Sequence, residues 1–393
     1  MRRLRMASAG LALAGFVSVW AGAAAAQTIQ TSIPNAILIE AETGSVLFEK
    51  NSDQLVAPAS LAKLMTVEVV FDQIKLGNIK LSDEFVISEN AWRKGGAVSR
   101  GSTMYAALHS RVKVEDLLQG VIIQSGNDAA IALAEGIGGN EASFARIMND
   151  RARELGLTRS HFTNAPGLPD PRMRVTMREM TRLARHIIQT YPEFYRWYAE
   201  REFTWNKIKQ QNRNPLLAMG IGADGLKTGY TQEAGYGLIG SAVQNGMRLI
   251  VGVTGAKTPK ERADEARKLL EWGFKSFEGR LLFPEGETIA EAKVYGGAQG
   301  RVGVAAKGAI RLMVPRGVNE RLSARVVYTG PVRAPVRQGQ PIGTLQVRRG
   351  DTHVLEAPVF AVENVEVGST SQRAFDAAAE LVINVFRSAA KRL

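Results

Sequence analysis

Apolar and polar positions alternate through "AILIEAETGSVLFEKN", and Thr43-Gly44 stands at the centre, so a period of two predicts a β-hairpin. The period then lengthens. "LAKLMTVEVVFDQIKLG" begins just behind Pro58 and stops at a glycine, which predicts a helix with Ser60 in its first turn. "VEDLLQGVIIQSGNDAAIALAEGIGG" reads as helix, polar break, helix. "NEASFARIMNDRARELGL" is amphipathic, with Asn140 as cap and Gly156 as stop, and "TMREMTRLARHIIQTY" is another helix. From about Glu202 strands return in "EFTWNKI", "DGLKTGYT", "YGLIGSAV" and "MRLIVGVTG", followed by the helix "KERADEARKLLEWGFKSF". A helical middle between two groups of strands predicts an α/β domain over 27–280, in which one sheet gathers strands from both ends.

Beyond Gly279 the helical period is lost. "AKVYGG", "RVGVAA", "IRLMVP", "SARVVYTG", "IGTLQVRRG" and "HVLEAPVFAV" are short strands punctuated by Gly or Pro, which predicts a small all-β domain over 281–368. In the last stretch, 369–393, Phe375, Ala378, Ala379, Val382, Phe386, Ala389, Ala390 and Leu393 step by three and four opposite a polar series ending in Arg387, Lys391 and Arg392. Two clean faces and a cationic end suit an amphipathic helix lying on an anionic membrane surface. A terminal helix docked on its own protein would show the same pattern.

The N-terminus joins a basic "MRRLRM" to an apolar "ASAGLALAGFVSVWAG" and small residues ending at Ala26. That layout predicts a secretory signal peptide over 1–26 and an exported mature chain. No other stretch approaches the roughly 20 apolar residues a spanning helix needs.

Composition changes this picture in three places. The chain is 45% hydrophobic and 22% charged, which excludes wholesale disorder. Its formal charge of +12 falls to 12 − 3 = +9 once Arg2, Arg3 and Arg5 leave with the signal. Outside the cytoplasm such a charge would meet lipid headgroups and acidic wall polymers, and no nucleic-acid partner is expected; a merely solubilising excess is the plainer reading. The absence of cysteine excludes thiol catalysis, thiolate zinc sites and iron–sulfur clusters. His109, His161, His186 and His353 are scattered without ligand spacing, so no metal or organic cofactor is expected.

Three small motifs carry candidate chemistry. Ser-x-x-Lys occurs at Ser60/Lys63, Ser110/Lys113 and Ser388/Lys391, so the spacing alone says little. Only the first sits at a helix start, where a hydroxyl and an amine at i and i+3 share a face and free N–H groups suit an oxyanion. A neutral Lys63 could take the proton of Ser60, provided that burial near another cation depresses its pKa. A solvated pair on a helix surface is the bland alternative. "QSGND" supplies Ser125 and Asn127, able to relay a proton and grip a carbonyl, or simply to cap a helix. "GLKTGYT" supplies Lys227, Thr228 and Gly229 on a strand. Gly229 would let an extended peptide lie along the sheet edge, Lys227 and Thr228 could hold a carboxylate, and the next N–H could serve an oxyanion. Alternatively, a strand simply ends by turning through glycine.

Taken together and in order, the three motifs resemble those of the low-molecular-mass penicillin-binding proteins, most closely the serine-type D-alanyl-D-alanine carboxypeptidases of Gram-negative bacteria. "GVIIQSGNDAAIALAE", "EFTWNKIKQQNRNPLL", "DGLKTGYTQEAGYGLIGSA", "MRLIVGV", "APVRQGQPIGTL" and "ENVEVG" extend the likeness over nearly the whole mature chain. The resemblance implies a helical cluster on a mainly antiparallel sheet. It also implies Ser60 as acylated nucleophile, Lys63 as its base, Ser125 as proton relay and Asn127 as substrate-positioning amide. Lys227, Thr228 and Arg262 would anchor a terminal carboxylate, and the backbone N–H groups of Ser60 and Tyr230 would form the oxyanion hole. Tyr230 departs from the family, which often carries His or Thr there. The implied substrate is the D-Ala-D-Ala end of peptidoglycan stem pentapeptides, with β-lactams as covalent inhibitors, on the periplasmic face of the inner membrane.

Three rivals use the same residues or fold. A class A β-lactamase would need a glutamate for its deacylating water, and "HFTNAPGLPDPRMRVT" holds none before Glu179. A non-catalytic wall-binding scaffold would predict a broken set of motifs, and all three are intact. D,D-Endopeptidase action on cross-links would use the same groups.

Overall fold

The computed structural model describes residues 29–317, 321–350 and 352–374; the signal expected over 1–26 and most of the tail helix expected over 369–393 lie outside the described residues. The opening hairpin consists of β1 (Asn35–Glu40) and β2 (Val46–Lys50). A single 3-10 turn, Ala59–Ala62, leads into α1 (Lys63–Lys75). A small pair of strands, β3 (Glu84–Val86) and β4 (Arg111–Lys113), surrounds α2 (Glu89–Gly95) and precedes α3 (Val114–Gln119). The helical layer continues with α4 (Asn127–Gly138), α5 (Glu141–Glu154), α6 (Met177–Thr190) and α7 (Pro192–Tyr195). Asn140 caps α5 by accepting the Ser143 N–H, and Thr176 caps α6 by accepting the Glu179 N–H.

The hairpin β5 (Glu202–Trp205) and β6 (Ile208–Gln211) turns through Asn206 and Lys207, both at positive φ. Three long strands follow, β7 (Ala223–Thr231), β8 (Gly235–Gln244) and β9 (Met247–Ala256), and then α8 (Pro259–Ser276). Together with the opening hairpin they make an antiparallel sheet in the order β2-β1-β9-β8-β7.

All six residues of β1 are buried, which explains its nearly unbroken apolar run. Ile37 and Ile39 join the core beneath the helical layer, whereas Ala36 and Leu38 pack with Leu269 and Leu270 of α8 on the other face. The sheet is thus covered on both sides, but β7 stands at its edge.

The C-terminal part is all β. β10 (Phe277–Phe283) pairs with β13 (Ile310–Pro315). A six-stranded sheet combines β11 (Ala290–Tyr295), β12 (Arg301–Ala305), β14 (Leu322–Tyr328), β15 (Val332–Arg333), β16 (Pro341–Arg349) and β17 (Thr352–Ala361). Val294, Val302, Leu312, Val347 and Val359 belong to its own core. Among the described residues no helix is long and apolar enough to cross a membrane.

Candidate active site

The turn bearing Ser60 is not the first turn of the α-helix, as the sequence suggests, but a 3-10 turn just before it. Ala59 holds φ +50, a conformation that side chains rarely adopt, and this strained step lifts Ser60 out of regular helix. Lys63 then opens α1 and is fully buried. Its Nζ lies 3.1 Å from Ser60 Oγ, 2.7 Å from Asn127 Oδ1 and 2.6 Å from the carbonyl of Pro166. The last two can only accept. They therefore engage two N–H groups, and when the amine is neutral its lone pair is left facing the Ser60 hydroxyl. Burial, then the positive charge of Arg213, lower the Lys63 pKa to about 7, against an opposing pull from Asp128.

Asn127 and Ser125 reach this place through a π-helical turn, Gly120–Gln124, that runs into α4. Ser125 sits at φ +66, 2% exposed, and among the described residues its Oγ has no hydrogen-bond partner. Neither residue caps the helix by its side chain: the N-cap of α4 is Gly126. Asp128, next along, is buried and accepts from Thr103 Oγ1 and from the N–H groups of Met104 and Ala106. Those bonds fix the loop that brings Ser102 to the site.

The third motif comes from the edge strand. Lys227 and Thr228 are buried, and Lys227 Nζ donates to the carbonyl of Thr228 at 3.4 Å. Burial, followed by Lys63, Arg213 and Arg262, drives the Lys227 pKa well below that of a free lysine. Gly229 has a reason beyond the one its sequence suggests. A Cβ there would lie 3.1 Å from the Pro58 carbonyl and 3.2 Å from Leu61, so its missing side chain makes room for the Ser60 turn. Arg262 projects from the first turns of α8, 8% exposed, with Nε unpartnered among the described residues and its guanidinium 5.9 Å from the centre of the Tyr236 ring.

Part of this set opens onto one cavity of about 340 Å³, whereas Lys63, Asn127 and Lys227 are buried and are not among its lining residues. Ser60, Ser125, Thr228, Gly229, Tyr230 and Arg262 line it. Arg213, which sequence reading passed over, lines it as well, together with Ser102, Tyr236 and Pro259. Among the described residues the Arg213 side chain has no ion pair, and a lone arginine in "QQNRNP" carries no local signal. Glu179, the glutamate nearest to the segment where a deacylating carboxylate would be sought, accepts from Arg159 N and Ser160 Oγ and does not line the cavity.

Residues 22–258 match the family described as D-alanyl-D-alanine carboxypeptidase, and residues 277–367 match the C-terminal domain of penicillin-binding protein 5. The chain is 41% identical over 359 residues to the D-alanyl-D-alanine carboxypeptidase DacC of Escherichia coli, covering 90% of each. It is 40% identical over 363 residues to DacA of Haemophilus influenzae, covering 90% of this chain and 92% of that one. The crystal structure of penicillin-binding protein 5 from H. influenzae superposes with a TM-score of 0.79 at 38% identity, over 86% of this chain and 99% of that one. The ampicillin-bound penicillin-binding protein D2 of Listeria monocytogenes superposes at 0.55 and 31% identity, over 63% of this chain and 100% of that one. Motifs, cavity and whole-length likeness agree: the chain belongs to the D-alanyl-D-alanine carboxypeptidases, serine hydrolases of the penicillin-binding protein 5 type.

Proposed function

We propose that Ser60 is the acylated nucleophile and Lys63 its general base. Ser60 Oγ attacks the carbonyl of the penultimate D-alanine of a stem pentapeptide while its proton passes to Nζ of Lys63. The C–N bond to the terminal D-alanine then breaks, and Ser125 carries a proton to the departing amine. Water hydrolyses the ester and frees the shortened peptide. The backbone N–H groups of Ser60 and Tyr230 receive the oxyanion, Asn127 positions the peptide, and Lys227, Thr228, Arg262 and Arg213 receive the terminal carboxylate. One observation carries this reading: both N–H groups of a neutral Lys63 are engaged elsewhere, so its lone pair is aimed at Ser60 Oγ.

β-Lactams would enter the same cavity and stop at the acyl-enzyme, as the ampicillin- and cefotaxime-bound forms of the Listeria protein suggest by analogy. Incubation with a fluorescent penicillin followed by peptide mapping is expected to find the label on Ser60. A label elsewhere, or none, would overturn the assignment.

The amphipathic pattern of 369–393 and the leader pattern of 1–26 support a peripheral enzyme on the periplasmic face of the inner membrane. Removing 369–393 is expected to release it from anionic vesicles; unchanged partitioning would show that the anchor lies elsewhere.

A further inference from the structure

We propose that the ring of Tyr230 limits the size of the residue that leaves, and so favours release of a terminal D-alanine over cleavage of cross-links. The inference rests on the carboxypeptidase reading above and adds selectivity for the leaving residue.

Residues 225–229 of β7 are buried, yet Tyr230 is 53% exposed at the end of that row. Its ring is nevertheless fixed. Tyr230 stands directly opposite Tyr236 on β8, and the two rings stack 4.2 Å apart at 26°. Tyr236 in turn carries the Arg262 guanidinium at 5.9 Å, and Pro259 opens the helix from which Arg262 projects. A continuous series of Arg262, Tyr236 and Tyr230 thus leads from a buried cation to solvent.

Strand alternation puts Thr228 and Tyr230, two residues apart, on the same face of β7. An amino acid whose carboxylate reaches Thr228 and Arg262 therefore has the Tyr230 ring beside it. The methyl of D-alanine asks little of a 340 Å³ cavity that must also hold the scissile bond. The leaving residue of a cross-link presents the same α-carboxylate but a long side chain, which has to pass out alongside a ring that its stacking partner prevents from swinging away. A smaller residue at 230 would keep the backbone N–H and lose the barrier.

The test uses the full mature chain and peptides ending in D-Ala-D-Ala, D-Ala-D-Leu or D-Ala-D-Lys, with kcat/KM read from the released amino acid. The wild-type chain is expected to prefer D-Ala. Tyr230→Ala should shrink that preference about ten-fold or more, the scale on which a pocket discriminates aliphatic size, whereas Tyr230→Phe should keep it. Acylation by a fluorescent penicillin reports whether each variant has a competent site. Should Tyr230→Ala fail to be acylated, Tyr230→Thr, a strand-forming side chain without a ring, supplies the same ratio. An acylation-competent ringless variant with the wild-type preference overturns the inference alone. If the wild-type chain released no D-amino acid, the carboxypeptidase reading would fall, and the inference with it.

Discussion

Two sets of charges are buried in the N-terminal domain, and both involve α1. Glu68, fully buried, meets Arg151 at 2.9 Å, the Tyr191 hydroxyl at 3.2 Å and His186 Nε2 at 3.2 Å. Arg151 also pairs with Asp72 at 3.0 Å and Glu154 at 2.9 Å. Five residues before Glu68 on the same helix, Lys63 is equally buried but has a hydroxyl, an amide oxygen and a carbonyl for company, while Lys227 has one carbonyl. Among the described residues neither lysine is joined to a carboxylate. Burial opposes the charge of Arg151, yet Glu154 and Glu68 more than offset it and raise its pKa; burial of Lys63 is reinforced by Arg213 and lowers it. Arg151 is placed to keep its charge, and Lys63 and Lys227 to give theirs up. The same desolvation is offset where opposite charges meet and favours a neutral amine, as the proposed proton transfer requires, where they do not.

The contrast can be broken at either end. The largest effect should follow Lys63→Ala, which removes the proposed base: acylation by penicillin, followed by stopped-flow fluorescence, is expected to slow about 10²- to 10⁴-fold while the circular dichroism spectrum is unchanged. Full acylation rates would assign the base elsewhere. Arg151→Ala leaves Glu68 buried without its main partner, and urea denaturation should show a loss of about 3–5 kcal/mol. Acylation of the folded fraction should continue, because Arg151 touches nothing in the cavity. Loss of acylation without loss of stability would contradict the separation drawn here.

A smaller effect sharpens the comparison through pH. A Lys63 that acts as the proposed base must be neutral, so the second-order acylation rate should climb about ten-fold per pH unit below about 7 and level off above it. Arg213→Ala withdraws a like charge, the protonated amine becomes easier to form, and the midpoint should move to higher pH. A midpoint that stays put would mean that burial alone sets the base.

The elements that hold the site were largely legible, because their periods are unambiguous: the Thr43-Gly44 hairpin, the Asn140-capped helix and the long strands stand where alternation and capping residues put them. The three motifs were legible as an ordered set. The contacts that give them meaning were not. The carbonyl of Pro166 that fixes Lys63 is backbone, which every residue owns. Arg213 acts through distance rather than through any pattern in its neighbours. Asn127 stands where a capping residue would be expected, yet its side chain turns to a lysine 64 positions earlier, a choice made by tertiary packing. Gly229 reads as a gap left for a ligand, and the close approach of the chain's own turn, which also asks for a missing side chain there, has no local signal.

The unattached Oγ of Ser125 has a kinetic corollary. Its backbone is held in a left-handed bend, and among the described residues no hydrogen bond fixes where its hydrogen points. If Ser125 is the relay proposed above, its hydroxyl could turn toward the departing nitrogen without first surrendering a hydrogen bond within the described residues, give up its proton there and take another in its place.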